Sequence, residues 1–288
     1  MNTHPSRIVC LNPETAEILC LFDEGDRIVG LSGSVAQLPE AQQRKPRLSI
    51  QTDSCVERIC ALAPDLVLGS GHKHSSALAA LAQRGIAVHL FNPSSVRSIV
   101  SMIRIVGALV GRDHAAASYA ANLEWRIEAL RARAHEEQRP RIYFEEWQEP
   151  SISAGTWTSE LIDIAGGVNC FPDLAARHRQ EERIVSDLDE VVRREPDIIV
   201  TAWNGKQSRL ELIEARDGWK HLPAVVNGEV HEIDASLVQQ PGPAALTQGL
   251  DTLHRIVESW RERRTRVFHT AFVPRVMTAV SDPAERVA

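Results

Sequence analysis

Residues 113–138 read DHAAASYAANLEWRIEALRARAHEEQ and contain neither glycine nor proline. Apolar side chains recur in this stretch at three- and four-residue steps, which predicts one long helix with a single apolar stripe. The stripe consists of Tyr119, Leu123, Ile127, Leu130 and Ala134. Asp113 is a suitable N-cap, and Pro140 follows the end of the helix. At ~1.5 Å per residue the helix is roughly 39 Å long, so we expect a stiff strut between two parts of the chain.

Short apolar runs alternate with helical patterns on both sides of this strut. We predict strands before it at residues 7–11, 27–31, 66–69 and 86–91, and after it at residues 141–144, 198–201 and 229–233. We predict helices between these runs, among them residues 55–63, 159–165, 187–195 and 243–261. Strands that alternate with helices favour a mostly parallel sheet covered on both faces.

An internal repeat relates the two halves. Residues 54–69 read SCVERICALAPDLVLG, and residues 186–201 read SDLDEVVRREPDIIVT. At a constant offset the four matching pairs are Ser54 with Ser186, Glu57 with Asp189, Pro64 with Pro196, and Asp65 with Asp197. Each copy predicts a helix, a Pro-Asp break and a buried strand, so we interpret the halves as pseudo-repeats.

The predicted fold is therefore α/β, with two Rossmann-like lobes of mostly parallel sheet joined by one long helix. We assign residues 1–112 to the first lobe, 113–139 to the connecting helix, 140–262 to the second lobe and 263–288 to a tail. Ligands of open α/β sheets bind outside the carboxyl ends of the strands, and two such lobes leave a cleft there.

Composition excludes several partners. The 288 residues carry a net charge of -6 and no basic run, which argues against a nucleic-acid partner or an anionic membrane surface. The polar start of the sequence contains no apolar secretory segment, so on sequence alone we expect a cytoplasmic protein unless a leader is missing. The five cysteines form no CxxC and favour small buried side chains in a reducing compartment.

Polar and aromatic residues follow the predicted strands and are candidates for contacting a ligand. They are Ser34, Ser70 and His72 in the first lobe, and Glu145, Trp147, Trp157 and Trp203 in the second. Indole faces suit a large flat ligand. The alternative is that the tryptophans only pack the second lobe.

Six segments together resemble the substrate-binding proteins of iron–siderophore, haem and cobalamin ABC importers, and among these the cobalamin-binding proteins most. They are RIVCLNPETAEILCLF, DRIVGLS, ERICALAPDLVLG, the long helix, SELIDIAGGVNCF and DEVVRREPDIIV. The resemblance implies the helical-backbone periplasmic-binding-protein fold, a ligand held in the cleft and little hinge motion. It implies a non-catalytic monomer without a covalent cofactor that presents cobalamin, or another metal chelate, to a permease dimer outside the inner membrane. Cobalamin binders of this class carry aromatic residues after the first-lobe strands, where this sequence has Ser34, Gln51 and Ser70.

In the same family an acidic residue of each lobe docks onto basic pockets of the permease. By position this role falls on Glu57 and Asp189, with Glu190 as a substitute for the second. The alternative is helix capping, because Ser54-x-x-Glu57 has the form of a capping box and Ser186-x-x-Asp189 is a near version of it.

A metal site is the weaker alternative. His72 and His74 in one lobe, and Glu145 and Glu146 in the other, have side chains that bind divalent ions or give an axial ligand to a tetrapyrrole. This leaves a cytoplasmic metal- or tetrapyrrole-binding carrier, or a chelatase-like enzyme, as the second hypothesis. Sequence motifs of common enzyme classes, such as GxSxG or HExxH, are absent.

Overall fold

The computed structural model describes residues 4–33, 37–48, 55–70, 75–136, 138–177, 179–203 and 210–271. The chain forms two α/β lobes, each with its own sheet, and one long helix connects them. The predicted fold class is therefore confirmed.

The first lobe is built on four parallel strands in the order β2-β1-β3-β4. They are β1 (Ile8–Cys10), β2 (Ile28–Leu31), β3 (Leu66–Gly69) and β4 (Ala87–Leu90). The helices are α1 (Pro13–Leu21), α2 (Glu40–Gln43), α3 (Cys55–Ala61), α4 (Ser75–Gln83) and α5 (Val96–Leu109). The short helix α2 lies between β2 and α3.

Helix α6 (Asp113–Glu136) is the connecting helix. The chain turns into it through Gly111, whose φ of +78° belongs to the left-handed region that glycine adopts without strain. The predicted stripe is confirmed: Leu123, Ile127 and Ala134 are buried, while Tyr119 and Leu130 pack partly buried against the same core. Ala116 and Ala120 extend that stripe.

The second lobe carries a five-stranded sheet in which only β6 runs antiparallel. Its strands are β5 (Arg141–Trp147), β6 (Ile152–Ser153), β7 (Val168–Asn169), β8 (Ile198–Thr201) and β9 (Val230–Glu232). Its helices are α7 (Thr156–Ile164), α8 (Pro172–Ala175), α9 (Asp189–Arg194), α10 (Leu210–Glu214), α11 (Pro223–Val226), α12 (Ala235–Val238) and α13 (Leu250–Ala271). The two-residue strands β6 and β7 escaped the sequence analysis because each is too short to show a periodic pattern.

Helix α13 extends into the residues that the sequence analysis assigned to a tail. Arg263 donates both Nε and Nη2 to the buried carboxylate of Glu229, at 2.6 Å each. The helix therefore docks on β9 beyond residue 262. Among the described residues, no helix is long and apolar enough to cross a membrane.

One continuous apolar core runs through both lobes. It joins side chains of the first sheet, such as Ile8, to Ile103 of α5, Ile127 of α6, Phe144 of β5 and Leu253 of α13. Each lobe also has its own smaller core on the other face of its sheet. Because apolar side chains are shared between the lobes, the connecting helix is not an isolated strut but part of a packed interface.

Candidate functional site

The carboxyl ends of the strands present the residues that the sequence singled out. Ser70 follows β3, Trp147 ends β5 and Trp203 comes two residues after β8. In the first lobe, the Ser70 hydroxyl donates to Asn92 Oδ1 at 3.3 Å, which links the loops after β3 and β4. Ser34, Gln51, His72 and His74 lie outside the described residues.

A buried carboxylate organises polar contacts near the carboxyl end of β5. Glu145 is fully buried, and the fork of Arg216 binds it with Nη1 2.7 Å from Oε2 and Nη2 3.0 Å from Oε1. The Tyr143 and Ser151 hydroxyls donate to Oε2 at 2.9 and 2.8 Å. The Trp203 indole N–H donates to Oε1 at 3.1 Å. Two-pronged arginine pairing and three further donors offset the cost of burying the charge.

Two of the predicted ligand contacts are buried side chains. The sequence predicts that Glu145 and Trp203 contact a ligand, and in the structure Glu145 has no exposed surface and Trp203 is 4% exposed. Both side chains are held inside the lobe by their shared hydrogen bond. Burial and the neighbouring Glu145 also raise the pKa of Tyr143, so its hydroxyl stays a donor.

Arg216 was not among the residues predicted from the sequence. It lies after α10 in a short loop, and its guanidinium sits 4.6 Å from the ring centroid of the fully buried Trp219. Nothing in the local sequence marks Arg216 as special, because its partner Glu145 is 71 residues away. Only the folded sheet brings the two together.

Glu146 is also paired with an arginine. Arg183 Nη1 lies 2.8 Å from Glu146 Oε2, and both side chains are largely buried. Glu146 Oε1 accepts the backbone N–H of Gly155, the N-cap of α7, at 2.9 Å. Burial raises the pKa of Glu146, and the charge of Arg183 opposes that shift. Since arginines occupy both carboxylates, the pair Glu145 and Glu146 is not arranged to bind a metal.

The described residues contain no group of three potential metal ligands from histidine, cysteine, aspartate and glutamate. All five cysteines are free thiols. Burial raises the pKa of both Cys10 and Cys170 to about 12, as expected for packing side chains rather than reactive ones.

The two other tryptophans among the predicted ligand contacts, Trp147 and Trp157, are partly exposed in the second lobe. Trp147 is half-buried, and its indole N–H donates to the Glu149 carbonyl at 2.8 Å. Trp157 stands in the first turn of α7, half-buried against the shared core. Both side chains are partly exposed, unlike that of Trp203.

The predicted docking carboxylates lie on the first turns of matching helices, α3 and α9. Glu57 is exposed and pairs with Arg84 at 3.0 Å. Hydrogen bonds from its own backbone N–H and from Arg84 hold the pKa of Glu57 below its ordinary value. Arg194 and Arg193 both bind Glu190 and lower its pKa. Asp189 is exposed, and its carboxylate has no hydrogen bond or ion pair with the described residues.

The expected cap at Ser186 is wrong. Helix α9 begins at Asp189, and its N-cap is Leu188, which has no capping side chain. Asp187 takes over this task, because its Oδ1 accepts the Asp189 backbone N–H at 2.9 Å. Asp189 therefore contributes its backbone N–H to the cap, and its own side chain does not cap the helix. Ser54, the other expected cap, lies outside the described residues.

Comparison with known proteins gives these observations a family context. A family model described as "Periplasmic binding protein" matches residues 8–237. A cobalamin-binding protein of Halobacterium salinarum is 26% identical over 250 residues, which are 84% of this chain and 67% of that protein. An uncharacterised ABC transporter substrate-binding lipoprotein of Bacillus subtilis is 25% identical over 259 residues, 86% of this chain and 79% of the relative.

A solved structure shares the fold. The periplasmic vitamin B12 binding protein of Vibrio cholerae superposes with a TM-score of 0.71 at 22% identity, covering 90% of this chain and 98% of the other. At this identity the likeness concerns the fold alone. The match includes both lobes and the helix between them.

Proposed function

This chain belongs to the periplasmic binding protein family, and we propose that it binds cobalamin or a related metal chelate, such as haem or a ferric siderophore, between its lobes. The observation that carries the proposal is the similarity to a cobalamin-binding protein over a stretch that includes both lobes. The family and its named relatives are substrate-binding proteins, and the proposed role is to hold the ligand without changing it.

The proposed contacts divide between an apolar and a polar side. Trp147 and Trp157 offer partly exposed aromatic faces in the second lobe, which suit the flat surface of a tetrapyrrole or of the corrin ring. Ser70 offers a hydroxyl from the first lobe, and Ser34 and His72 remain proposed contacts there. Glu145 and Trp203 act indirectly, by fixing the wall behind these contacts.

The proposed partner is the permease dimer of an ABC importer, which would receive the ligand from a monomeric binding protein. One relative is named as an ABC transporter substrate-binding lipoprotein. Glu57 and Asp189 are the proposed docking residues, because both are exposed on equivalent helices of the two lobes. Asp189 suits this role better than Glu190, whose carboxylate is bound by two arginines. The proposed location is outside the inner membrane, where such a permease collects its ligand.

Titration tests the ligand directly. Purified protein is titrated with cyanocobalamin, haemin and a ferric siderophore, and binding is followed by calorimetry and absorbance. We expect micromolar or tighter affinity for one of the three, with the ligand recovered chemically unchanged. Trp157→Ala should weaken binding, whereas Trp125→Ala, a change at a 76% exposed tryptophan on α6, should not. Absence of binding to all three ligands would overturn the proposal.

A further inference from the structure

Hydrogen bonds cross between the lobes at several points, and two of them are reciprocal. Glu17 of α1, in the first lobe, accepts at 2.5 Å the backbone N–H of Ala244, which is the N-cap of a π-helical turn (Ala245–Gly249) that leads into α13 of the second lobe. Glu160 of α7, in the second lobe, accepts the backbone N–H of Val96 at 2.6 Å, in the first turn of α5. Each lobe thus supplies a carboxyl group to a helix N-terminus of the other, where N–H groups lack intrahelical partners.

The Glu17 contact is closely packed. A Cβ atom added to Gly242 would lie 2.6 Å from Glu17 Oε2 and 3.4 Å from Glu14 Cβ. The backbone of residues 242–244 therefore lies directly against α1, and a side chain at Gly242 would displace the Glu17 carboxyl group. The Glu160 hydrogen bond is a second contact between the lobes. The Gln37 side-chain amide donates to the Ser236 hydroxyl across the lobes at 2.7 Å.

We propose that Glu17 and residues 242–244 form a proton-controlled latch between the lobes, which is engaged while the Glu17 carboxyl group is neutral and loosens when it ionises. A neutral carboxyl group still accepts the Ala244 N–H through its carbonyl oxygen. An ionised one must remain charged in a partly buried contact between lobes, which costs free energy. The latch concerns the protein without ligand and does not depend on which ligand the cleft takes.

The groups around Glu17 favour its neutral form. Burial raises the pKa of Glu17 to about 7, the Ala244 N–H opposes this shift, and the charge of Glu14 adds to it. Cys20 on the same helix and Tyr119 on α6 also face Glu17. Arg126 on α6 acts on Tyr119 and is itself paired with Asp251 of α13.

The direction of the pH effect follows from these values. The pKa is about 7 in the latched state, against an ordinary value of 4.5 when the group is exposed to water. The engaged state is therefore fully favoured below pH 4.5, and its advantage is lost as the pH rises toward 7. Between about pH 5.5 and about pH 8.5 the ratio of latched to released protein should fall on the order of tenfold.

Nuclear magnetic resonance of the full chain tests the latch. Hydrogen exchange of the Ala244 amide, corrected for its intrinsic pH dependence, reports the hydrogen bond, and residual dipolar couplings report the relative orientation of the lobes. In the wild type we expect protection of Ala244 to fall on the order of tenfold from about pH 5.5 to about pH 8.5, with a small lobe reorientation.

Three variants separate the latch from other effects. Glu17→Gln imitates the neutral carboxyl group and should keep Ala244 protected at both pH values. Gly242→Ala should leave it unprotected at both. Glu40→Gln removes a charge from the same lobe at an exposed site and should follow the wild type. The proposal would be overturned if protection of the Ala244 amide in the wild type were the same at both pH values. It would also be overturned if that protection still changed with pH in Glu17→Gln. Should a variant misfold, carbon-13 titration of the wild-type Glu17 carboxyl group together with the Ala244 amide decides the question.

Discussion

Asp65 accepts the backbone N–H of Arg7 with Oδ1 3.0 Å from the nitrogen, and thereby fixes the entry of the first strand. The Asp65 N–H donates back to the Arg7 carbonyl at 2.9 Å. Asp197 repeats this exchange with Arg141 in the second lobe, at 2.9 and 2.8 Å. The residue two positions before each aspartate, Ala63 or Glu195, has a left-handed backbone with φ of +45° or +41°. The repeat seen in the sequence is therefore a repeat of hydrogen bonds and backbone angles.

Replacing these aspartates should destabilise the two lobes unequally. Asp65→Ala removes three hydrogen bonds, from the N–H and hydroxyl of Ser6 and from Arg7, and we expect a loss of about 1–2 kcal/mol in unfolding free energy. Asp197→Ala removes one such bond and two long ion pairs, with Arg141 at 3.6 Å and Arg264 at 4.0 Å, and should cost about 0.5–1 kcal/mol. Urea unfolding measures both changes. Equal losses would contradict the structural count of bonds.

The contribution of the Asp65 carboxylate to the free energy of unfolding should be lost at acidic pH. Partial burial acts to raise the pKa of Asp65, but the hydrogen bonds from Ser6 and Arg7 prevail and hold it below the ordinary value of 3.8. Its electrostatic contribution is therefore complete above pH 3.8 and is lost as the pH falls through the lower, folded-state value. The stability difference between wild type and Asp65→Asn should accordingly narrow below that pH, as urea unfolding at a series of pH values would show.

Glu145 and Arg216 should be strongly coupled. Glu145→Ala leaves the Arg216 guanidinium without its partner and three buried donors without their acceptor, so we expect a loss of about 3–5 kcal/mol. The double variant Glu145→Ala/Arg216→Ala should lose less than the sum of the single variants. A double-mutant cycle from chemical denaturation measures this coupling, and additive losses would show that the pair contributes nothing specific.

Charge reversal should separate docking from ligand binding. Glu57→Lys and Asp189→Lys should each lower ligand transport by the reconstituted importer by about tenfold, because a basic docking surface would then repel the binding protein. Ligand affinity should not change. Glu128→Lys, at an exposed carboxylate on α6, is the matched control. Transport at wild-type rates in both test variants would leave Glu57 and Asp189 without a docking role.

Ligand binding should rotate the lobes only slightly. The apolar core runs without interruption from the first sheet through α5 and α6 into the second lobe, and a large rotation would expose or repack it. We expect a rotation below about 10–15° between free and bound crystal structures. A larger rotation would show that neither the helix nor the shared core governs the movement.

The architecture could be predicted from the sequence, because the features that encode it are local. The step of three and four residues in α6 predicts its buried face, and the predicted strands at 66–69 and 198–201 match β3 and β8. In the second copy of the repeat, the sequence predicted the wrong capping residue. Asp187, not Ser186, caps the Asp189 N–H. Side chains that differ by one position compete for the same N–H, and only the backbone angles select between them.

The partners of the polar residues could not be predicted in this way, because they come from distant parts of the chain. Glu145 follows an apolar run, as a ligand-binding residue would, yet the folded lobe surrounds it with Tyr143, Ser151, Trp203 and Arg216. Glu17 meets Ala244 across 227 residues. The periodicity of apolar residues predicts which face of a helix or strand is buried. The partner of a buried charged side chain depends instead on which distant loop packs against it in the fold. That information resides in the packing of the two lobes and not in any one segment of sequence.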